Sequence, residues 1–182
     1  MESDILNGAI GYLAGPIDDV DDQGITWRRD VVSKCEKIGI KFLDPTNKLS
    51  NLQKEVGEEQ EKIRRFKEMK QWDELSNFMH PVARGDHRCV DLCDFIICYI
   101  DSECHMCGTY FELQSALTEK KPYFIVTKGG KEKTPSWLFG ILDHNRIFDS
   151  VDAVVNHLHC LNDGTIPLDD RWVLIRKELE KL

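Results

Sequence analysis

Long hydrophobic runs are missing from this chain. Its apolar stretches, of which Phe95-Ile96-Ile97-Cys98-Tyr99-Ile100 is typical, are far shorter than a membrane span. The acidic start Met1-Glu2-Ser3-Asp4 is unlike the positively charged start of a signal peptide, so the expected location is the cytoplasm and no membrane partner is expected. An excess of positive charge is also missing. With 24 Lys and Arg against 32 Asp and Glu, the net charge is -8. Binding of a nucleic acid polymer rests on cationic contacts to phosphate, so that class of partner is excluded, whereas a small nucleotide is not. Seven cysteines, an odd number scattered along the chain, do not make a disulfide framework and fit reduced thiols. Neither an internal repeat nor a linker interrupts the sequence. Its 182 residues, 41% hydrophobic and 31% charged, are expected to form a single domain over 1–182, large enough to bury its core without staples.

What is present alternates between short apolar runs and helical periodicity. Ile10-Gly11-Tyr12-Leu13-Ala14 reads as a strand closed by Gly15-Pro16, and a helical pattern from Ile25 to Ile38, running through Trp27, Val31, Val32 and Cys35, ends at Gly39. A second strand over Ile40 to Asp44 stops at Pro45, and so short a strand-helix-strand succession implies a parallel pair. The charge-rich stretch from about 50 to 80 reads as a helical insertion that Gly57 splits and His80-Pro81 ends, its inner face carrying Ile63, Phe66, Met69 and Trp72. Residues 84 to 94 then lead as a short helix into the central strand Phe95 to Ile100. Further strands are expected over Lys121 to Thr127 and Arg146 to Phe148. Helices are expected from Ser136 to Leu142, from Ser150 through Leu158, and at the C-terminus over about 169–182. Five strands alternating with helices specify an α/β fold, a doubly wound five-stranded parallel sheet in the flavodoxin-like (Rossmann-like) order.

The stretch Cys107-Gly108-Thr109-Tyr110-Phe111-Glu112-Leu113 follows the central strand, where an open parallel sheet places its ligands. Gly108 is expected to turn the chain into a helix packed by Phe111, Leu113, Ala116 and Leu117, with Glu112 in its first turn. There the helix dipole favours a carboxylate, and Glu112 serves either as a helix-start acid or as a reacting group. The loop with Asp18, Asp19, Asp21 and Asp22 lacks the spacing of a calcium site and reads as solvated and helix-capping. Lys128-Gly129-Gly130-Lys131 lacks the spacing of a phosphate-binding loop. Cys104-His105-Met106-Cys107 supplies at most part of a zinc site, with no well-spaced second pair, so neither metal nor cofactor is expected. Asp86, with Arg84 and Arg88 nearby, is either a cap or part of an ion-pair cluster facing the crevice.

Tyr12-Leu13-Ala14-Gly15-Pro16-Ile17, the approach from Asp86 to Asp94, and Gly108-Thr109-Tyr110-Phe111-Glu112-Leu113, at these intervals, resemble the nucleoside 2-deoxyribosyltransferase-like superfamily, which includes the 2'-deoxynucleoside 5'-phosphate N-hydrolases. The likeness covers about residues 10 to 150. It implies cleavage of an N-glycosidic bond with Glu112 as nucleophile, Tyr12 hydrogen-bonding it, and Asp86 binding or protonating the base. It also implies a homo-oligomer whose neighbouring subunit completes the pocket, with Asn145 as the residue donated to the sugar hydroxyls. Gly15, Pro16, Ile17, Gly108 and Trp137 are further expected substrate contacts. Arg28 is a candidate for a 5'-phosphate or for a surface ion pair. One departure stands out: Met106 occupies the place of an Asp in the transferases and a Ser in the nucleotide hydrolases. His105 or Asp101 is then the expected acid for the leaving base. The expected partner is a nucleoside or nucleotide, with a free base if the reaction is transfer. A nucleotide or NAD-derivative hydrolase, and a non-catalytic nucleotide sensor, are the competing readings.

Overall fold

The computed structural model describes residues 4–18, 20–48, 57–173 and 175. Five parallel strands, β1 (Ile10–Ala14), β2 (Lys41–Leu43), β3 (Phe95–Ile100), β4 (Tyr123–Thr127) and β5 (Ile147–Phe148), lie in the order β2-β1-β3-β4-β5. This is the doubly wound, flavodoxin-like arrangement. Among the described residues the α-helices are α1 (Ile25–Cys35), α2 (Glu58–Glu68), α3 (Trp72–Leu92), α4 (Cys107–Thr118), α5 (Ser136–Phe139) and α6 (Val151–Asn162).

Strand alternation divides the core into two layers. Leu13, Phe95, Ile97, Phe124 and Val126 face α1 and α6, where Val31, Cys35, Val154 and Leu158 meet them. Tyr12, Ala14, Ile96, Cys98 and Ile125 face the other way, onto Val90 of α3 and Leu113 and Ala116 of α4. Asp94 Oδ2 accepts from the Ile10 N–H at 2.8 Å, tying the start of β1 to the entrance of β3. Gly39, at φ 72°, closes the turn after α1 in the left-handed region where glycine is at ease.

Several helices depart from the sequence pattern. α3 runs straight through Pro81 for 21 residues. Pro81 removes one backbone donor, but Val82, Asp86 and Val90 form a stripe buried against the sheet side, and packing holds the helix across the gap. The break in the charge-rich segment falls between α2 and α3, where Lys70 takes φ 55°, while Gly57 is the N-cap of α2. Ile63 is buried there, but Met69 and Trp72 are exposed. Lys121 Nζ ends α3 by donating to the carbonyls of Val90, Asp91 and Cys93. In α1 the inward residues are Arg28, Val31 and Cys35, with Val32 turned outward. α6 is capped by Ser150 as expected and continues to Asn162. The expected C-terminal helix lies mostly outside the described residues, as does Asp19 of the acidic loop. In that loop Asp22 accepts from the N–H groups of Gly24 and Thr26, a capping arrangement.

Candidate active site

The chain leaves β1 toward one edge of the sheet and β3 toward the other, so a crevice opens between their carboxyl ends. A cavity of about 370 Å³ occupies it on the α3 and α4 side. The loop after β1 gives it Gly15, Pro16 and Ile17. α3 adds Met79, Ala83, Asp86 and His87, and the entry to α4 adds His105, Met106, Gly108, Phe111 and Glu112. Gly15 is required by close approach, since a Cβ there would stand 2.7 Å from the Trp27 ring.

Glu112 is not in the first turn of its helix. α4 begins at Cys107, and its buried stripe is Thr109, Glu112, Leu113 and Ala116, with Phe111 62% exposed toward the cavity rather than packed on the sheet. The spacing i, i+3, i+4, i+7 puts Glu112 on the sheet-facing side, where the strand beneath must satisfy it. Tyr12 of β1 does so: its O–H donates to Glu112 Oε1 at 2.6 Å, and both residues are buried. Burial, followed by the nearby Glu112 and Asp86 charges, pushes the Tyr12 phenol well above its ordinary range. The phenol therefore stays a donor, and the carboxylate rather than the helix terminus is its partner.

Asp86 occupies the corresponding place on α3, between Val82 and Val90 on the buried stripe. Its partner is neither Arg84 nor Arg88. Lys48, just beyond the turn Pro45–Asn47 that follows β2, places Nζ 2.6 Å from Asp86 Oδ1, and Arg88 instead faces Asp91. Burial pushes the Asp86 carboxyl above the usual range, and Lys48 pulls it back in part.

Four expected contacts stand elsewhere. Arg28 is fully buried, donating to the carbonyls of Leu13, Gly15 and Gly24 with Asp44 at 3.7 Å, so it braces the loop behind the cavity instead of opening onto it. Asp101 lines a different cleft on the α1 side, bonded to Lys128 at 2.8 Å and to the Glu103 N–H. Trp137, 80% exposed, borders an apolar groove on the far flank of α4. Asn145 sits in a short turn with its N–H donated to Asp143. Met106 is buried, and its sulfur accepts from the Asp101 N–H at 3.1 Å.

Lys48 and His87 went unread as site residues. The signal for Lys48 was its position just past the carboxyl end of β2, on the same sheet edge as Gly15 and Gly108. All seven cysteines are free, and burial pushes Cys35 and Cys93 up to about 12, making them unreactive. Among the described residues no cluster of three or more His, Cys, Asp or Glu could hold a metal ion, and no helix is long and apolar enough to cross a membrane.

Fold and site together define a flavodoxin-like α/β protein with a pocket at its topological switch point that Asp18, Asp86 and Glu112 line. No protein-family model matches the chain, and no curated protein matches it significantly. Among solved structures, it is similar to a CMP N-glycosidase, BcmB, of Clostridium botulinum, at 15% identity and a TM-score of 0.45, over 82% of this chain and 97% of that one. It is also similar to a conserved protein from Enterococcus faecalis V583, at 13% identity and a TM-score of 0.45, over 96% and 99% of the two chains. Neither likeness assigns an activity, and the case for one rests on the pocket.

Proposed function

We propose that this protein cleaves the N-glycosidic bond of a nucleoside or nucleoside 5'-monophosphate, passing the sugar through Glu112 to water or to a second base. The observation that carries the reading is the buried 2.6 Å hydrogen bond from Tyr12 to Glu112, in a cavity that Asp86 also lines. As the bond from the base nitrogen to the anomeric carbon breaks, its electrons leave with the base and positive charge develops on the sugar. Glu112 stabilises that charge and bonds the anomeric carbon; water or another base then displaces it, and two inversions give retention. Tyr12 fixes the rotamer of the attacking carboxylate. Asp86 holds the base, and His105 on the same wall is the acid for its departure.

This reading carries a homo-oligomer with it. Asn145 stands outside its own chain's cavity, as a residue supplied to a neighbour would, and the exposed Trp137 and Ile141 offer apolar contact surface. Met106 favours a second reading, a nucleotide-binding protein without turnover, because a buried thioether stands where the related enzymes carry a polar group.

The test is chromatography of the purified protein with common nucleosides, deoxynucleosides and their 5'-monophosphates, each with and without a second free base, beside Glu112→Ala. Free base from the native protein alone, lost in the variant, is the expected result. A new nucleoside formed only with the acceptor base identifies transfer. If no glycosidic bond breaks and both proteins still bind nucleoside, the binding reading replaces the enzyme.

A further inference from the structure

Asp86 and Glu112 share one cavity, yet they have opposite kinds of partner. Glu112 accepts from a neutral phenol, whereas Asp86 faces an ammonium group 2.6 Å away, with side-chain exposures of only 4% for Lys48 and 12% for Asp86. Lys48 is held there by local structure. The turn before it is capped by Asp44, whose Oδ1 accepts from the Thr46 N–H and hydroxyl, and Pro45 opens the turn.

Burial favours the protonated form of such a carboxyl group, and an ammonium at contact distance favours the anion. An ionised carboxylate can only accept hydrogen bonds. We propose that Lys48 is a positioning residue that holds Asp86 as an ionised acceptor, so that Asp86 recognises an N–H of the base and does not supply the departing base with its proton. Oδ1 is turned to Lys48, which leaves Oδ2 for the base. The pair is neutral overall, so it also limits the repulsion that Asp86 and Glu112 would otherwise exert on each other.

The other groups around Asp86 do not replace Lys48. Arg28 and His87 favour its anion by smaller amounts, and the Arg28 guanidinium is taken up by three backbone carbonyls. Tyr12 and Cys89 are themselves held protonated by burial and by the Asp86 charge among other causes. Burial is already the largest influence on Asp86, and removing the Lys48 charge takes away its main opponent, so the titration of Asp86 must move upward. The ligand assignment rests on the glycosidase reading above; the ion-pair assignment does not.

The experiment is carboxyl-carbon NMR of the full chain carrying labelled aspartate, titrated for the native protein, Lys48→Met and Lys48→Arg, with Asp86→Asn to assign the signal. Asp86 is expected to titrate about one pH unit or more higher in Lys48→Met and near its native midpoint in Lys48→Arg. An unmoved midpoint in a folded Lys48→Met protein overturns the proposal. So does a loss of the folded spectrum in Lys48→Met together with a shifted midpoint in Lys48→Arg, since the charge would then not be what matters. With a cleaved nucleoside in hand, the acidic limb of kcat/KM should move up by the same amount in Lys48→Met, chiefly through KM at neutral pH. A limb that stays in place overturns the base-holding role. If the native protein cleaves nothing, the glycosidase reading fails by itself, and the NMR result still decides whether Lys48 sets the charge of Asp86.

Discussion

Of the two clefts that the described residues form at the carboxyl ends of β1 and β3, the larger is the chemically quieter. The cleft on the α1 side has a volume of about 570 Å³ against about 370 Å³ for the cavity on the α3 and α4 side. Its acids are held by backbone N–H groups and by cations that stay partly exposed. Asp22 caps the N–H groups of Gly24 and Thr26, and Asp149 accepts from Lys131. Burial pushes the Asp101 carboxyl up, but Lys128, the Glu103 N–H and Cys104 outweigh it and hold the group below its usual range. In the smaller cavity the two buried carboxylates, Glu112 and Asp86, belong to the buried stripes of two helices, and their partners come from distant strands and turns: Tyr12 for Glu112, Lys48 for Asp86. Volume thus says little about where chemistry can occur. Buried charge held by long-range contacts says more, because only a cooperative fold can keep it in place.

That contrast can be broken from either side. Glu112→Ala should have the largest effect on base release, a fall of about four orders of magnitude in single-turnover assays, with the fold retained in circular dichroism. Arg28→Met should act on the fold instead. It strips three carbonyls of a fully buried donor and leaves Asp44 without its cation, so unfolding by urea should show a loss of about 3–5 kcal/mol. Tyr12→Phe removes a hydrogen bond to a charged group and nothing else, and should lower kcat/KM by about 10- to 100-fold with a smaller change in KM. Lys128→Met in the quiet cleft is the smallest change. Its side chain is half exposed, so the urea midpoint should not measurably move and base release should stay within about twofold. A larger loss of activity in Lys128→Met than in Tyr12→Phe would reverse the ranking of the two clefts.

Much of the scaffold was legible because strand and helix periods are local properties of the chain. The apolar runs at Ile10, Phe95 and Tyr123, the glycine after α1 and the serine before α6 all act within a few residues of where they stand. Pro81 misled for the same reason. Its local rule, that proline ends a helix, was overruled by the burial of Val82, Asp86 and Val90. Within the pocket, Tyr12, Asp86 and Glu112 could be singled out in advance, and the fold brings Tyr12 to Glu112 and Asp86 to the same cavity. Arg28 could not be placed that way: arginine beside Trp27 on a charged helix looks like surface, and only the packed loop behind the cavity reveals three carbonyls waiting for it.

By itself, the sequence determined the order of strands and helices, the parallel sheet they imply and the carboxylates available at its edge, since each depends on neighbours in the chain. Which acid meets which partner is a matter of tertiary structure: the Tyr12–Glu112 pair was expected only through a family likeness, and the Lys48–Asp86 pair not at all. Glu112 meets Tyr12 because α4 turns its stripe onto β1, and Asp86 meets Lys48 because the turn after β2 comes up beside α3. Those pairings set charge and orientation, and they depend on distances between residues that the chain itself keeps far apart.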